Sequence, residues 1–428
     1  MKIAIESYVC DAMIPWVEKA ANDLINAGHK ITSAFEADLI IIASCVLNSR
    51  KERQILERLS EIKNAGKKVL VAGCMVDVKK DLIKSVNEKA SVCGNASYFY
   101  LTDIVEKIAS GYQVERFSDK PLKILPQGRM RTNPKVAYIP LQEGCSRFCT
   151  FCACKFARGT LESYEPNQII AAAERAVNTG AREIVLVGED IACYGEDIKS
   201  VRLPAIIRKL CSLKGDFKIK LGYMNPASVL PILDDLISVM AHPKVYRYLH
   251  LNLISGSDHV LKKTERGYTK REFMEIVNAF RKKYPLMTIE SDVMVGHCSE
   301  SDIDFEETIN VVKQAKIDIL NVYPYTQHWF ERKLCENEVV SWKIKERYEK
   351  MLKIKETLEN GSSQKWIGWN GECILVDETK EYYVLRNHAC RDVLISKYSC
   401  GNLGNMASSI KVEVVKAKNA YLFGKILN

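Results

Sequence analysis

The strongest constraint on the fold is an alternation of short apolar runs with amphipathic stretches, which occurs twice along the 428-residue chain. Between Lys2 and about Ser110, the runs KIAIESY, DLIIIAS and KKVLVAG are each followed by a stretch of helical periodicity. Repeated strand–helix units require a parallel sheet with crossover helices. We therefore predict a parallel α/β domain over residues 1–112. Its predicted helices cover residues 16–27, 49–65 and 79–87.

The second alternation begins at VAYIPLQ and passes through four more apolar runs to IDILNVYPY. Six β/α units over about 190 residues predict a partial (β/α)6 barrel, because a closed barrel of this type needs eight. This domain covers residues 135–362 and ends in a charged helix, 341–359, which Gly361-Ser362-Ser363 is expected to break. The other predicted helices cover residues 166–179, 203–212, 228–240, 270–282 and 302–315.

Two segments flank this second domain. Residues 113–134 lose the periodicity and contain Pro121, Pro126 and Pro134, so they predict a linker. Residues 363–428 contain short strands without helices, which indicates a small C-terminal β-barrel. The predicted fold class is therefore multidomain α/β.

Composition narrows the class of protein. With 47% apolar and 27% charged residues the chain is globular. No stretch approaches 18 consecutive apolar residues, and Glu6 and Asp11 interrupt the first apolar run, so we expect a cytoplasmic protein without a membrane span. Fifteen cysteines in a reducing compartment point to metal or redox chemistry.

The sharpest motif is a group of three cysteines, Cys145, Cys149 and Cys152, directly after an apolar strand. A structural zinc site needs four ligands, for which Cys154 would be the only nearby addition. Three thiolates suit a [4Fe-4S] cluster with one iron left open. The motif therefore predicts an iron–sulfur site in the second domain.

Three separated cysteines form a second pattern. Cys10, Cys45 and Cys74 each follow one predicted strand of the first domain. The carboxyl ends of parallel strands share one edge of a sheet, where ligand sites form. We therefore expect these cysteines to converge and to hold a second cluster. The remaining cysteines, including Cys154 and Cys193, are expected to be structural thiols.

Much of the excess positive charge lies in one segment of the chain. Lys and Arg number 62 against 53 acidic residues, and between Lys120 and Arg158 basic residues far outnumber the single acid, Glu143. This pattern indicates either a phosphate-bearing partner or a solvated basic linker. The basic residues are Lys120, Lys123, Arg129, Arg131, Lys135, Arg147, Lys155 and Arg158.

Several segments together resemble the radical S-adenosylmethionine (SAM) methylthiotransferases over essentially the whole chain. They are LQEGCSRFCTFCACKFARGTLESYEP, LGYMNPASVLPILDDLI, YLHLNLISGSDHVLKKTERGYT and DVMVGHCSESDIDFEET. The resemblance is closest to the archaeal and eukaryotic branch that modifies N6-threonylcarbamoyladenosine in tRNA. It implies a flavodoxin-like N-terminal domain, a radical SAM partial barrel and a C-terminal TRAM domain.

The resemblance also implies the chemistry. Two [4Fe-4S] clusters and SAM would add a methylthio group to an unactivated C–H, at C2 of the modified adenosine in the tRNA anticodon loop. An electron donor such as flavodoxin or ferredoxin would be needed, and the sulfur donor is not implied. The implied SAM-binding residues are Phe151 near adenine, Glu189 at the amino group, Ser255 at ribose, Asp292 and Val295 on the fifth strand, and Arg158 at a carboxylate or phosphate.

The chain departs from the family pattern on the substrate side. His297-Cys298-Ser299 and residues 326–331 replace usual family segments, and His328 and Trp329 are candidates to face substrate. His250, on an apolar strand, is expected to be a core histidine. Three alternatives therefore stay open: methylthiolation of another tRNA adenosine, of a ribosomal protein residue, or a non-catalytic iron–sulfur protein that binds RNA.

Overall fold

The computed structural model describes residues 1–46, 49–118, 125, 130–198, 201–327, 339–400, 403 and 409–427. The described residues form an N-terminal sheet with helices, a central partial barrel and a C-terminal closed barrel. Within these ranges no helix is long and apolar enough to cross a membrane.

The N-terminal domain is a parallel six-stranded sheet in the order β2-β1-β3-β4-β5-β6. This order is flavodoxin-like, and separate apolar clusters form on its two faces. The strands are β1 (Lys2–Ser7), β2 (Lys30–Ile31), β3 (Leu39–Ser44), β4 (Lys68–Gly73), β5 (Ser91–Cys93) and β6 (Glu115–Arg116); the helices are α1 (Ile14–Asn26), α2 (Ser49–Asn64), α3 (Cys74–Val86) and α4 (Leu101–Ala109).

The sheet extends past the predicted boundary at residue 112. Strand β6 pairs in parallel with β5, with Val92 opposite Glu115. Two residues are too few to show a periodic pattern, so the sequence could not distinguish this strand from the linker that follows it.

The central domain contains six parallel β/α units, as predicted. Its third strand is divided at Gly222 into β11, which pairs with β10, and β12, which pairs with β13. A Cβ at Gly222 would lie 2.6 Å from the Leu186 carbonyl oxygen, so only glycine fits there. The strands are β7 (Val136–Pro140), β10 (Glu183–Val187), β11 (Lys218–Leu221), β12 (Tyr223–Met224), β13 (Tyr248–Leu251), β14 (Thr288–Val295) and β15 (Ile319–Pro324), with a hairpin of β8 (Gln142–Glu143) and β9 (Glu162–Ser163).

The six helical stretches predicted for this domain are present, and two further short helices, Cys154–Arg158 and Asp258–Lys263, were not predicted. They are α5 (Cys154–Arg158), α6 (Pro166–Asn178), α7 (Leu203–Cys211), α8 (Pro226–Val229), α9 (Leu233–Val239), α10 (Asp258–Lys263), α11 (Lys270–Lys283), α12 (Asp302–Ala315) and α13 (Ser341–Gln364). The predicted break in the last helix is wrong, because α13 continues through Gly361-Ser362-Ser363. The Ser362 hydroxyl donates to Asp318, and the Ser363 hydroxyl donates to the Asn419 carbonyl. These tertiary contacts override the low helix propensity of the three residues.

The C-terminal domain is a closed five-stranded barrel in the order β16-β17-β18-β20-β19, as predicted. It packs on the central domain through an apolar cluster that includes Ile374 and Val376 on one side and Val185 on the other. Arg386 Nη1 lies 2.5 Å from Glu183 Oε1 across the same interface. The strands are β16 (Asn370–Glu378), β17 (Tyr382–Arg386), β18 (Asp392–Ser396), β19 (Ile410–Lys418) and β20 (Tyr421–Ile426).

Candidate active site between two cysteine triads

A cavity of about 540 Å³ lies between the N-terminal domain and the interior of the partial barrel. Cys10 and Cys45 line it from the first domain. Cys145, Cys149 and Cys152 line it from the second. The structure therefore brings five of the six predicted cysteines to one cavity, while Cys74 is outside its lining. We call Cys10, Cys45 and Cys74 the N-terminal triad, and Cys145, Cys149 and Cys152 the barrel triad.

The N-terminal triad converges because of strand order. Its members follow β1, β3 and β4, which are neighbours in the sheet, so they share the edge at which doubly wound folds bind ligands. A hydrogen bond to Cys45, together with burial, raises the pKa of the Cys10 thiol well above its usual value. Burial raises the pKa of Cys74, whose Sγ lies 3.8 Å from Asn95 Oδ1. Without a metal, Cys10 and Cys74 therefore favour the neutral thiol.

The barrel triad lies in a loop that begins at Gly144. A Cβ at this residue would lie 2.2 Å from the Thr160 carbonyl oxygen, and its φ is +66°, so glycine is required. Arg266 Nη1 donates to Cys149 Sγ at 3.2 Å. The backbone N–H of Arg147 donates to Cys145 Sγ at 3.3 Å. Such donors orient sulfur ligands for a metal. At Cys145 a hydrogen bond with Cys193 and burial raise the pKa, against the opposing effect of the Arg147 N–H.

The barrel triad fits a polynuclear cluster better than a single ion. In the part of the chain that the structure describes, its three sulfurs do not all lie within 4.8 Å of one another. A single tetrahedral zinc with Zn–S bonds of about 2.3 Å would hold its sulfurs about 3.8 Å apart. Three thiolates around an open cavity instead fit a [4Fe-4S] cluster with one iron available to another ligand.

Two neighbouring cysteines were predicted to be structural and lie at the site instead. Cys193 Sγ, Cys145 Sγ and an Asp190 carboxylate oxygen lie within 4.8 Å of one another. A hydrogen bond with Cys154 lowers the pKa of Cys152 to about 6. Cys193 follows the carboxyl end of β10, as Cys10 follows β1, and that position was the available signal in the sequence.

Arg158 is held by protein carboxylates. Its Nε lies 2.6 Å from Glu189 Oε1, its Nη2 lies 2.6 Å from Glu143 Oε2, and its side chain is only 1% exposed. The predicted role of Arg158 as a direct ligand of a carboxylate or phosphate is therefore revised, because its guanidinium already has two anionic partners. Burial raises the pKa of Glu189 to about 7, against the opposing effect of Arg158.

The same guanidinium joins the two domains. Arg158 Nη1 contacts the Met13 sulfur and lies 3.3 Å from Asn95 Oδ1, and both of these residues belong to the first domain. Trp16 Nε1 donates to Glu143 Oε1 at 2.8 Å. We call these contacts the interdomain network, which consists of Arg158, Glu143, Glu189, Met13, Asn95 and Trp16. It fixes the N-terminal triad relative to the barrel.

A second polar group lines the cavity from the barrel strands. His250 Nε2 lies 3.2 Å from Asp292 Oδ2, and Asn321 Nδ2 donates to both Asp292 and Glu290. Burial alone would lower the pKa of His250, but Asp292 and Glu290 raise it above its usual value. His250 has its polar partners, as expected of a core histidine, but it also faces the cavity.

The implied SAM-binding residues divide into two groups. Phe151, Glu189 and Asp292 line the cavity, and their roles stay predictions. Ser255 and Val295 are outside this lining. The Ser255 hydroxyl lies 3.1 Å from Thr308 Oγ1, so its side chain is engaged with α12 rather than with the cavity.

The divergent loops are partly described. The His297 ring packs against the Tyr325 ring with centroids 4.8 Å apart, and burial lowers the pKa of His297 to about 4. His328, Trp329 and the rest of 328–331 lie outside the described residues.

Comparisons with known proteins agree with this geometry. Residues 139–312 match the Radical SAM superfamily, and residues 2–94 match the uncharacterized protein family UPF0004. In the solved structures, the radical SAM methyltransferase TsrM from Kitasatospora setae, with cobalamin and a [4Fe-4S] cluster bound, has a TM-score of 0.53 at 10% identity and covers 76% of this chain and 74% of that chain. This likeness shows the fold alone. The chain is therefore a radical SAM protein with an additional three-cysteine domain.

Full-length relatives specify the family. A probable threonylcarbamoyladenosine tRNA methylthiotransferase of Pyrococcus abyssi is 32% identical over 100% of both chains. The threonylcarbamoyladenosine tRNA methylthiotransferase of Mus musculus is 28% identical over 99% of this chain and 74% of its own. The chain belongs to the threonylcarbamoyladenosine tRNA methylthiotransferase family, whose members use SAM and two [4Fe-4S] clusters.

Proposed function

We propose that this protein adds a methylthio group to C2 of N6-threonylcarbamoyladenosine in the anticodon loop of tRNA. The observation that carries the proposal is the shared cavity, which the barrel triad and two members of the N-terminal triad, Cys10 and Cys45, line from different domains. When bound, the clusters and SAM supply a radical that removes hydrogen from an unactivated C–H, and the sulfur and methyl that replace it. Both triads must act on one substrate atom, so their convergence is required by the reaction.

The residues of the chain supply placement and charge. Arg266 and the Arg147 backbone N–H donate hydrogen bonds to Cys149 and Cys145 and so orient these two sulfurs of the barrel triad. The interdomain network holds the N-terminal triad at a fixed position across the cavity. Misplacement by about 1 Å costs such reactions about 100-fold in rate, so a rigid connection between domains serves catalysis directly.

RNA binding is the second part of the proposal. An anticodon loop is already unpaired, so its base can enter the cavity without the cost of opening a duplex. Within the predicted basic strip, Arg131 donates to the Pro134 and Thr179 carbonyls and Arg147 to Ser228, while Lys120, Lys123 and Arg129 lie outside the described residues. The C-terminal barrel offers exposed lysines on β19 instead: Lys411, Lys416 and Lys418.

The proposed setting includes an electron donor such as flavodoxin or ferredoxin and a cytoplasmic location. The sulfur donor is not part of the proposal, because no residue of the chain identifies it.

Mass analysis of nucleosides tests the proposal. Anaerobically reconstituted protein, SAM and a reductant should convert tRNA carrying N6-threonylcarbamoyladenosine to a nucleoside heavier by about 46 Da, the gain of SCH3 for H. The matched control is the protein with the N-terminal triad replaced by alanine, which should give no such nucleoside. The same mass gain on a ribosomal polypeptide, or on a tRNA without the threonylcarbamoyl group, would contradict the proposed substrate.

A further inference from the structure

Lys220 is a cation on the cavity wall that the proposed chemistry has not used. It lies on β11 and lines the cavity beside Tyr248, His250 and Glu290. Its Nζ lies 5.0 Å from the centroid of the Tyr248 ring. A lysine in such a setting keeps its stem against apolar surface and presents its ammonium to the open space.

The nearby carboxylates are already occupied by other donors. Glu290 accepts from the Tyr248 hydroxyl at 2.6 Å and from Asn321 at 2.8 Å. Asp292 is bonded by Asn321 and His250. Across the described ranges, Lys220 has no carboxylate oxygen within 4.0 Å and no hydrogen-bond partner. Its attraction to Glu290 and to Glu183 acts only over longer distances.

Lys220 lies at a distance from the triads, so it can contact a part of the substrate that is remote from the reacting atom. Tyr223 follows Lys220 by three residues, or about 10 Å at the rise of a strand. Tyr223, Cys10 and Cys45 all line the cavity, so this end of the strand borders the same space as two thiols of the N-terminal triad. Lys220 lines that space farther back along the strand, where a long substituent on a base that reacts near the triads can reach it.

We infer that Lys220 binds the carboxylate of the threonyl substituent and thereby selects the threonylcarbamoylated adenosine over one without that acid. The inference rests on the proposed function and deepens it. The substituent is an amino acid joined through a carbamoyl linker, so its carboxylate stands beyond the purine ring and is its only anionic group. Lys220 is thus a positioning and specificity residue, and takes no part in bond breaking.

The selectivity follows from the cost of leaving the ammonium unpaired. A site that presents a buried polar group rejects an analogue lacking the matching group much more strongly than an apolar pocket rejects a missing methylene. A charged hydrogen bond of this kind corresponds to about a 10- to 100-fold difference in kcat/KM.

SAM also carries an amino-acid carboxylate, so the test must separate the two sources. The probes are two anticodon stem-loop RNAs, one with N6-threonylcarbamoyladenosine and one with its threonyl methyl ester. We compare the wild type, Lys220→Met, Lys220→Arg and Lys218→Met. Lys218 is the matched control, because it lies on the same strand but donates to the Pro243 carbonyl and does not line the cavity.

The expected result is expressed, for each variant, as the ratio of kcat/KM for the acid RNA to kcat/KM for the ester RNA. The wild type, Lys218→Met and Lys220→Arg should prefer the acid to the ester by about 10- to 100-fold in kcat/KM, and Lys220→Met should prefer it by less than about 3-fold. Iron content and melting temperature should be unchanged in Lys220→Met. An unchanged preference in folded Lys220→Met would overturn the inference.

Two further outcomes are decisive. If Lys220→Met raises the KM for SAM in RNA-independent cleavage while the acid-to-ester preference persists, the carboxylate at Lys220 belongs to SAM and the inference is wrong. If the wild type is active only on an RNA lacking the threonylcarbamoyl group, the proposed function itself fails, and the inference fails with it.

Discussion

The barrel triad and two members of the N-terminal triad line the same cavity, but the two triads are built in different ways. The barrel triad comes from one short loop, so local spacing alone defines it. The N-terminal triad comes from three strand ends that are far apart in sequence, so only the sheet order brings them together. A local motif can be identified from spacing alone, whereas a topological site can be identified only once the parallel sheet has been predicted from the strand–helix pattern.

The triads also differ electrostatically. Arg266 and a backbone N–H donate to sulfurs of the barrel triad. In the N-terminal triad a hydrogen bond with Cys45 and burial raise the pKa of Cys10, and burial raises that of Cys74. In the barrel triad a hydrogen bond with Cys193 and burial likewise raise the pKa of Cys145, whereas a hydrogen bond with Cys154 lowers that of Cys152 to about 6. By the proposed function, a cluster at the barrel triad would accept an electron and one at the N-terminal triad would carry sulfur. The following predictions test that division.

The largest effect is expected from removing each triad in turn. Replacing the barrel triad by alanine should abolish both SAM cleavage and methylthio product. Replacing the N-terminal triad should abolish product and leave RNA-independent SAM cleavage intact, because the barrel site has its own ligands. Product and 5′-deoxyadenosine are measured by mass spectrometry. Loss of SAM cleavage in both folded variants would show that the two triads do not have separate roles.

The next effect concerns the connection between the triads. Arg158→Met leaves Glu143 and Glu189 buried without their cation, which costs about 3–5 kcal/mol in the free energy of unfolding. Methylthio product should fall by about 100-fold, because the relative placement of the domains changes. SAM cleavage should fall less, through the lost contact of Arg158 with Glu189, a predicted SAM-binding residue. Denaturant unfolding and the two product assays measure this.

Arg208→Met is the matched control for that experiment. Arg208 pairs with Asp235 at 2.6 Å, but both side chains are more than half exposed, so the free energy of unfolding should fall by about 1 kcal/mol or less. Equal decreases of product in Arg158→Met and Arg208→Met would show that the interdomain network does not position the triads.

A smaller effect is expected from removing a hydrogen-bond donor of the barrel triad, because the N-terminal triad should not respond. Arg266→Met removes the hydrogen bond to Cys149 Sγ and should weaken iron retention at the barrel triad by about 10- to 100-fold, the usual consequence of losing such a partner. Iron release to a chelator should then show one fast and one unchanged phase. Acceleration of both phases together would mean that Arg266 stabilises the fold and not one site.

The sequence was sufficient for the local motif, the six β/α units and the strand-end cysteines. It could not identify the Arg158 partners, because Glu143 and Glu189 meet Arg158 only in the folded barrel, and Asn95 reaches it only after the two domains pack together. Cys193 was classed as an ordinary thiol, because its position beside Cys145 depends on β7 and β10 being neighbours in the barrel. The break predicted near Gly361 failed because contacts from Asp318 and Asn419 outweigh local propensity.

The smallest effect is expected at the C-terminal barrel. Deleting this domain would expose the apolar cluster around Val185, so charge reversal is the better test. Changing Lys411, Lys416 and Lys418 to glutamate should reduce the salt dependence of tRNA affinity by a log–log slope of about 0.7 to 0.9 for each lysine–phosphate pair that is removed. Filter binding over a range of salt concentrations measures the slope. An unchanged slope would place the RNA surface elsewhere.

The central claim is that both triads hold a cluster at the same cavity. Crystals of the anaerobically reconstituted protein, measured at the iron absorption edge, test it directly. We predict two separate groups of iron, about eight atoms in all, one bounded by Cys145, Cys149 and Cys152 and the other by Cys10, Cys45 and Cys74, with the cavity between them. A single iron group in fully loaded protein, or a second group away from the cavity, would contradict the claim.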